Sequence, residues 1–543
     1  MTSADRKPLS PTSVAARRPG VSLLAIASAG TLVLTACGGG DEGIATDDET
    51  YTHLLVDNVM IDSDPATFYT NEVETLHNVY ETLTYYDPNN PDEVEPRLAT
   101  DWESSEDELT WIFELRDDVT FHSGEPMTAE SVVAALDRTI ELGEGGAYVW
   151  EAVENIEAID ETTVEFQLEN PAPIDFVAAS NYAAGIYEIP EGAEDEPGSE
   201  SFDEGNFGTG PYVIEELNHN EEYELTLTQH EEYWGGWEDD QFEQVEFRSV
   251  PEGATRAQLL EQGEAHSTAA LPPQLVDSVT NHDNIEIHET TSFTNTFMSL
   301  NTDREPLDDP LVRQAIAHGI NYGEMAEASE GSFVEPGGVV PEDVFGHVED
   351  SDMPNYDPDL AEELMEEAGY DMGSDLVELE LIYNEGESDY ELMADLLQAD
   401  LSNINIEVAI EALPQEAALD RARNEDPDER QDIRISSWWG DDPTGISWYN
   451  SLYQTEDEPN FNISYYSNPE LDEIVEETAE LAATDQDAAL ENYAEMEEMV
   501  LDEAPIVYLG ETHYQRPVRT EVDGFVDNPF YVSALWAYEM RQD

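Results

Sequence analysis

Between Leu376 and Trp438 the apolar spacing changes from strand to helix to strand, and this constrains the fold more than any other stretch. Leu376–Tyr383 alternates apolar and polar, Tyr390–Leu401 carries a helical stripe, and Ile404, Ile406, Val408 and Ile410 alternate again. A β-α-β unit with one short crossover makes a parallel strand pair with a right-handed connection. Ile433–Trp438 reads as a further strand of the same sheet. The segment Ser436–Tyr453, SSWWGDDPTGISWYNSLY, starts in that strand and runs past its carboxyl end. Open α/β sheets gather ligands at that edge. Trp438, Trp439, Trp448, Tyr449 and Tyr453 crowd there around Asp441 and Asp442. Amphipathic rings beside a fixed carboxylate suit an organic ligand carrying a positive charge. The same rings also suit a core beside a Pro/Gly turn, and local sequence does not separate the two.

Charge sets the medium. The 543 residues hold 127 acidic and 18 basic side chains, a net charge of −109, and Lys7 is the one lysine. Such a chain repels itself in dilute buffer. At molar salt the Debye length falls to about 3 Å, so the composition predicts adaptation to high salt. Nine tryptophans and a 40% hydrophobic fraction argue for packed cores rather than an acidic disordered chain. Nucleic acid and anionic membrane surfaces are not expected as partners of so acidic a surface. With acids this dense, paired carboxylates occur by chance and mark no general acid or base. The 11 histidines form no HExxH and no cluster with cysteine. No cofactor or metal is expected, and the length predicts two or three domains.

The N-terminus reads as an export signal. Arg6, Lys7, Arg17 and Arg18 precede an apolar run, Val21–Ala36, too short for a membrane span. It ends in Leu34-Thr35-Ala36-Cys37 followed by three glycines, and Cys37 is the single cysteine. No internal disulfide is possible. Residues 38–50 read as a flexible acidic tether. The Arg17-Arg18 pair leaves both general and twin-arginine export open.

Further along, Glu72–Leu83 is expected to be helical, and Leu109, Trp111, Phe113 and Leu115 alternate as a strand. Thr128 is an N-cap for the helix that carries Val132, Val133, Leu136 and Ile140. Asp309-Pro310, Asp357-Pro358 and Asn468-Pro469 are three more starts with a capping side chain and proline at the first helical position.

Leu98–Arg138, LATDWESSEDELTWIFELRDDVTFHSGEPMTAESVVAALDR, resembles the extracellular solute-binding proteins of ABC importers, in the oligopeptide, dipeptide and nickel-binding family 5. Phe207–Tyr212 and Tyr233–Gly236 follow in that family's order, then Pro306–Met325, Tyr356–Tyr370, Tyr465–Val475 and Ala504–Val507. The end of the N-terminal run is similar to the lipobox of exported lipoproteins, which implies cleavage before Cys37 and a lipid on its thiol.

The resemblance implies an α/β, two-lobed, periplasmic-binding-protein-like (Venus-flytrap) fold with an extra subdomain inserted in lobe one. Lobe one is expected over 51–291 (insertion about 95–205) with a return at 505–543, and lobe two over 292–504. It implies no enzymatic activity. It implies a monomer that captures short peptides by lobe closure and delivers them to permease subunits, tethered by lipid to the outer face of the cytoplasmic membrane. Peptide-binding members place an aspartate on the ligand's α-amino group through Trp-x-x-Asp, which Trp438-Trp439-Gly440-Asp441 matches. Asp442-Pro443 follows at once, a shorter loop than in many relatives, so Asp442 is the other possible anchor. The expected ligand-binding set is Asp441, Trp438, Trp439, Asp442 and Tyr453. Arg421, Arg423 and Arg434 are expected to form surface ion pairs, and His266 to be structural. A nickel chelate, haem or an oligosaccharide on the same fold remains the alternative to peptide, and a secreted hydrolase a remote one.

Overall fold

The computed structural model describes residues 49–542 except 57–58, 60–62, 69–74, 87–93, 106, 180–183, 194–196, 199–200, 203–205, 219–223, 343, 350, 371–375, 425, 441–443, 457–458 and 530–534. The expected signal, Cys37 and the tether up to residue 48 lie outside the described residues.

Helices begin where the sequence offers a capping side chain. Thr128 Oγ1 accepts from the Ser131 amide at 3.3 Å while Ser131 Oγ accepts from the Thr128 amide at 2.9 Å, a reciprocal capping box. Asp309, Asp357 and Asn468 each accept amide bonds from the first turn, with proline at the first helical position. The expected helix over Glu72–Leu83 lies partly outside the described residues. Within them it is helical at Thr75 and Leu76 and then turns. The Asn78 and Val79 carbonyls accept instead from Tyr212 and Gly210, so the helical ladder is given up for a tertiary contact. A Cβ at Gly208 would stand 2.0 Å from the Val79 carbonyl oxygen, which only glycine avoids.

Seven strands of one large sheet organise the molecule: β1 (Thr50–Leu55), β2 (Gln244–Ser249), β3 (Ile285–Leu300), β4 (Val377–Asn384), β5 (Ile406–Leu413), β6 (Ile433–Trp438) and β7 (Ile506–Arg519). Its order is β5-β4-β6-β3-β7, then Ser267–Thr268, β1, β2, Glu224–Gln229 and Tyr212–Asn218. β4 and β5 are parallel from Val377↔Ile406 to Asn384↔Leu413, joined by the helix α1 (Ser388–Leu401). That is the β-α-β unit read from the apolar spacing.

β3 and β7 are the long members, at 16 and 14 residues. They pair antiparallel from Ile285↔Arg519 to Ser299↔Ile506. One end of the pair meets β6 and the other meets Ser267–Thr268, so both strands run through the two lobes. Register shifts at Thr291/Asn295 and Thr296/Phe297 interrupt the ladder near its middle. Separate cores sit at the two ends: Met298, Leu381, Leu397 and Ile435 in one, Tyr51, Leu227, Phe247 and Val518 in the other. A four-stranded antiparallel sheet, Ala99–Ser104, Thr110–Leu115, Thr163–Leu168 and Val153–Ala158 in spatial order, packs its own core around Phe113, Leu136 and Phe166.

Among the described residues no helix is long and apolar enough to cross a membrane.

Candidate ligand-binding site

Strand alternation builds the floor of the site. On β6, Ile433 and Ile435 turn into the core and are fully buried. Arg434, Ser436 and Trp438 therefore take the opposite face. Ladder partners share a face, and Phe297 of β3 pairs with Ser436 while Ile382 of β4 pairs with Arg434, which brings Asn384 to the same side. Phe297, Asn384, Arg434, Ser436 and Trp438 line a cavity of about 290 Å³. Its walls come from Gln415, Leu419 and Arg423, one face of the helix Gln415–Ala422 and its C-cap, and from Phe461 and Ile463. Trp439 and Leu452 also line it, and Gly146 and Tyr148, beside the four-stranded sheet, complete the lining.

The aromatic parts are interlocked. The Trp438 and Phe461 rings meet edge to face at 5.1 Å, and Trp438 Nε1 donates to Ser447 Oγ at 3.3 Å. Tyr390 donates its hydroxyl to Ser437 Oγ at 2.9 Å. Burial pushes the Tyr390 hydroxyl well above the usual phenol range.

Arg434 is 5% exposed, and no hydrogen bond or ion pair joins its side chain to any described residue. Burial lowers its pKa; the Arg423 charge acts the same way, while Tyr390 and Tyr465 oppose it. An arginine remains charged at neutral pH all the same. Arg434 Nε, Ser436 Oγ and Asn384 Oδ1 are buried without a hydrogen-bond partner among the described residues. Each such group costs about 1–3 kcal/mol, and a ligand that bonds to it recovers that cost.

Trp438 and Trp439 thus stand on the cavity wall. Asp441 and Asp442 lie outside the described residues. Tyr453 stands elsewhere than expected: it is 1% exposed inside a core, and its hydroxyl meets that of Tyr508 on β7 at 3.0 Å. Trp448 and Tyr449 are fully buried beside it. All three belong to the helix α2 (Ile446–Leu452) and its C-cap, which packs inward. The expectation of surface ion pairs holds for Arg421, which bridges Glu380 and Glu411. It fails for Arg434 and Arg423. The strand period that sends Ile433 and Ile435 inward sends Arg434 to the cavity, a signal present in the sequence. Arg423 donates from Nε to the Asn460 carbonyl at 3.1 Å and lies 5.8 Å from the Phe461 ring centre. His266 is structural here: its Nδ1 accepts from the Thr52 amide at 3.0 Å, and its ring stacks on Tyr51.

A cavity against the strand ends of a two-lobed α/β fold, with two long strands running through both lobes, defines a binding protein that encloses its solute. The model of the bacterial extracellular solute-binding proteins, family 5, matches residues 93–460, and the chain belongs to that family. It is 28% identical over 478 residues to a probable D,D-dipeptide-binding periplasmic protein of Escherichia coli K12, covering 86% of this chain and 89% of that one. A dipeptide-binding protein of the same organism is 25% identical, with 80% and 84% covered. Among solved structures, a NikA from Brucella suis in complex with Fe(III)-EDTA superposes with a TM-score of 0.81 at 21% identity, covering 91% of this chain and all of that one. The periplasmic binding protein DppA from Helicobacter pylori, in complex with the peptide STSA, gives 0.77 at 22% identity, with 91% and 98% covered.

Proposed function

We propose that this protein captures short peptides between its lobes and hands them to the permease of an ABC importer. The observation that carries the reading is the make-up of one cavity. Aromatic walls at Trp438, Trp439 and Phe461 stand over a floor with a buried cation and unpaired polar atoms at Asn384 and Ser436. A short peptide offers what such a place takes: apolar bulk, backbone amides, and a carboxylate. Asp441 and Asp442 stand three and four residues beyond the end of β6 in sequence and supply the acid for the ammonium end. The peptide-binding relatives support the same class.

In this reading the protein catalyses no reaction and acts as a monomer. Residues 51–291 and 505–543 form lobe one, with an insertion at about 95–205, and 292–504 form lobe two. Ligand contacts favour the closed arrangement, and closure is the signal the permease reads. A lipid on Cys37 holds the protein at the outer face of the cytoplasmic membrane, and the acidic surface suits molar salt.

A second reading, an anionic metal chelate, draws on the two arginines at the cavity. One experiment separates the two. The protein is folded in molar salt, exchanged into volatile salt, and sprayed intact after exposure to a mixed peptide pool. Retained masses matching short peptides support the proposal. A spectrum of folded protein with no peptide adduct overturns it, and a chelate pool follows.

A further inference from the structure

Fourteen arginines lie among the described residues. Eleven of them reach a carboxylate within 4.0 Å. Arg256 is held by the Val250, Pro251 and Ala270 carbonyls. The remaining two, Arg423 and Arg434, meet no carboxylate among the described residues, and both line the same cavity. With 127 acidic side chains in the chain, carboxylates are not scarce. That two cations line one cavity and neither meets an acid among the described residues is therefore a property of the site.

The arrangement is unfavourable for the protein alone. Arg434 is buried, and the Arg423 charge further disfavours its charged form. A single ligand carboxylate carries one negative charge and leaves one of the two guanidinium charges unbalanced. We propose, building on the peptide reading, that the cavity selects ligands whose inner end carries two carboxylates, a short peptide ending in Asp or Glu being the class. Arg434 at the floor takes one carboxylate. Arg423, exposed and anchored through Nε to Asn460, turns its remaining donors to the second. The volume of about 290 Å³ stands at the small end of ligand sites, which keeps the peptide short. Molar salt screens surface attraction but affects a buried pair far less, so this selectivity survives in the medium the composition calls for.

Calorimetry on the full-length protein, in 2 M KCl with detergent, tests the proposal with Ala-Glu, its neutral isostere Ala-Gln, and glutarate. Ala-Glu is expected to bind at least tenfold tighter than Ala-Gln. Arg423→Gln should erase that preference. Arg434→Gln should weaken both peptides by at least tenfold, and a melting curve on each variant confirms folding. If both peptides bind and Ala-Glu has no advantage, the dicarboxylate proposal falls and the peptide reading stands. If neither peptide binds but glutarate does, and Arg434→Gln abolishes it, the peptide reading falls and the two-carboxylate site stands. If wild-type protein binds none of the three, the proposal is overturned.

Discussion

The Tyr148 ring, carried beside the four-stranded sheet, stands 6.1 Å from the Phe461 ring, carried beside β6. Both rings line the cavity, and Phe461 also holds the edge of Trp438. The contact joins two parts of the molecule that have separate cores, so it reports on closure. Tyr148 is 41% exposed, and removing it leaves the cores intact. Tyr148→Ala is expected to keep thermal stability within about 0.5 kcal/mol of wild type while speeding ligand release severalfold. Stopped-flow fluorescence and a melting curve check both halves of that statement.

Trp438 supplies the largest apolar wall on β6. Its truncation removes ring area against the ligand and leaves Phe461 without its edge-to-face partner. Trp438→Ala is expected to weaken ligand binding by about 2 kcal/mol or more, as central aromatic anchors do. Titration calorimetry measures it; an unchanged affinity removes Trp438 from the binding surface.

Asp441 and Asp442 are tested against each other. The anchor acid pairs with a peptide ammonium, so its Asp→Asn variant should lose about 2–5 kcal/mol toward a peptide with a free amino end. The same variant should leave an N-acetylated peptide unaffected. Whichever of the two substitutions shows that difference names the anchor, and neither showing it removes both.

Asp64 and Arg138 form a buried ion pair at 2.6 Å, with a second contact at 2.8 Å. Arg138 also donates to the Ala193 carbonyl and the Tyr187 hydroxyl, and Asp64 accepts from the Ala66 and Gly198 amides. Arg138→Met strands Asp64 as an uncompensated buried acid. The expected loss is about 3–5 kcal/mol of stability by denaturant unfolding in molar salt.

His266 gives the pH dependence a sign. Burial pulls its pKa down to about 4 from 6.5, because the neutral ring accepts the Thr52 amide in a packed site. A group whose folded pKa is depressed in this way favours the neutral form. Its contribution is complete above pH 6.5 and is lost as pH falls toward 4. The shift corresponds to about 3 kcal/mol. Acidification also relieves the repulsion of the acidic surface, so the variant is compared with wild type at each pH. His266→Gln keeps an acceptor for Thr52 without a proton to gain. Its unfolding free energy should fall less than that of wild type between those two pH values; parallel curves remove His266 as the source.

Local rules carried much of the fold. Caps at Thr128, Asp309, Asp357 and Asn468 depend on a side chain and the next turn of backbone, and they formed where the residues stand. The β4-α1-β5 unit followed from apolar spacing, because period decides which face is buried. The same rule placed Arg434 opposite Ile433 and Ile435, yet an alternation cannot say whether the polar face meets water or an enclosed cavity. That depends on the helix Gln415–Ala422 and on Tyr148, nearly three hundred residues away in the chain.

The aromatic run Trp438–Tyr453 shows where sequence stops. Composition crowds five rings into one segment, but α2 turns Trp448, Tyr449 and Tyr453 into a core and leaves Trp438 and Trp439 on the cavity. Which rings are wall and which are filling is set by what packs against the helix, and Tyr508 of β7 decides it for Tyr453. The acidic surface, the helix starts, the β-α-β order and the edge where a site forms were all legible in the chain, since each follows from neighbours along it. That Arg434 and Arg423 line one cavity and meet no carboxylate among the described residues came from the fold, because it depends on which distant acids are brought near them.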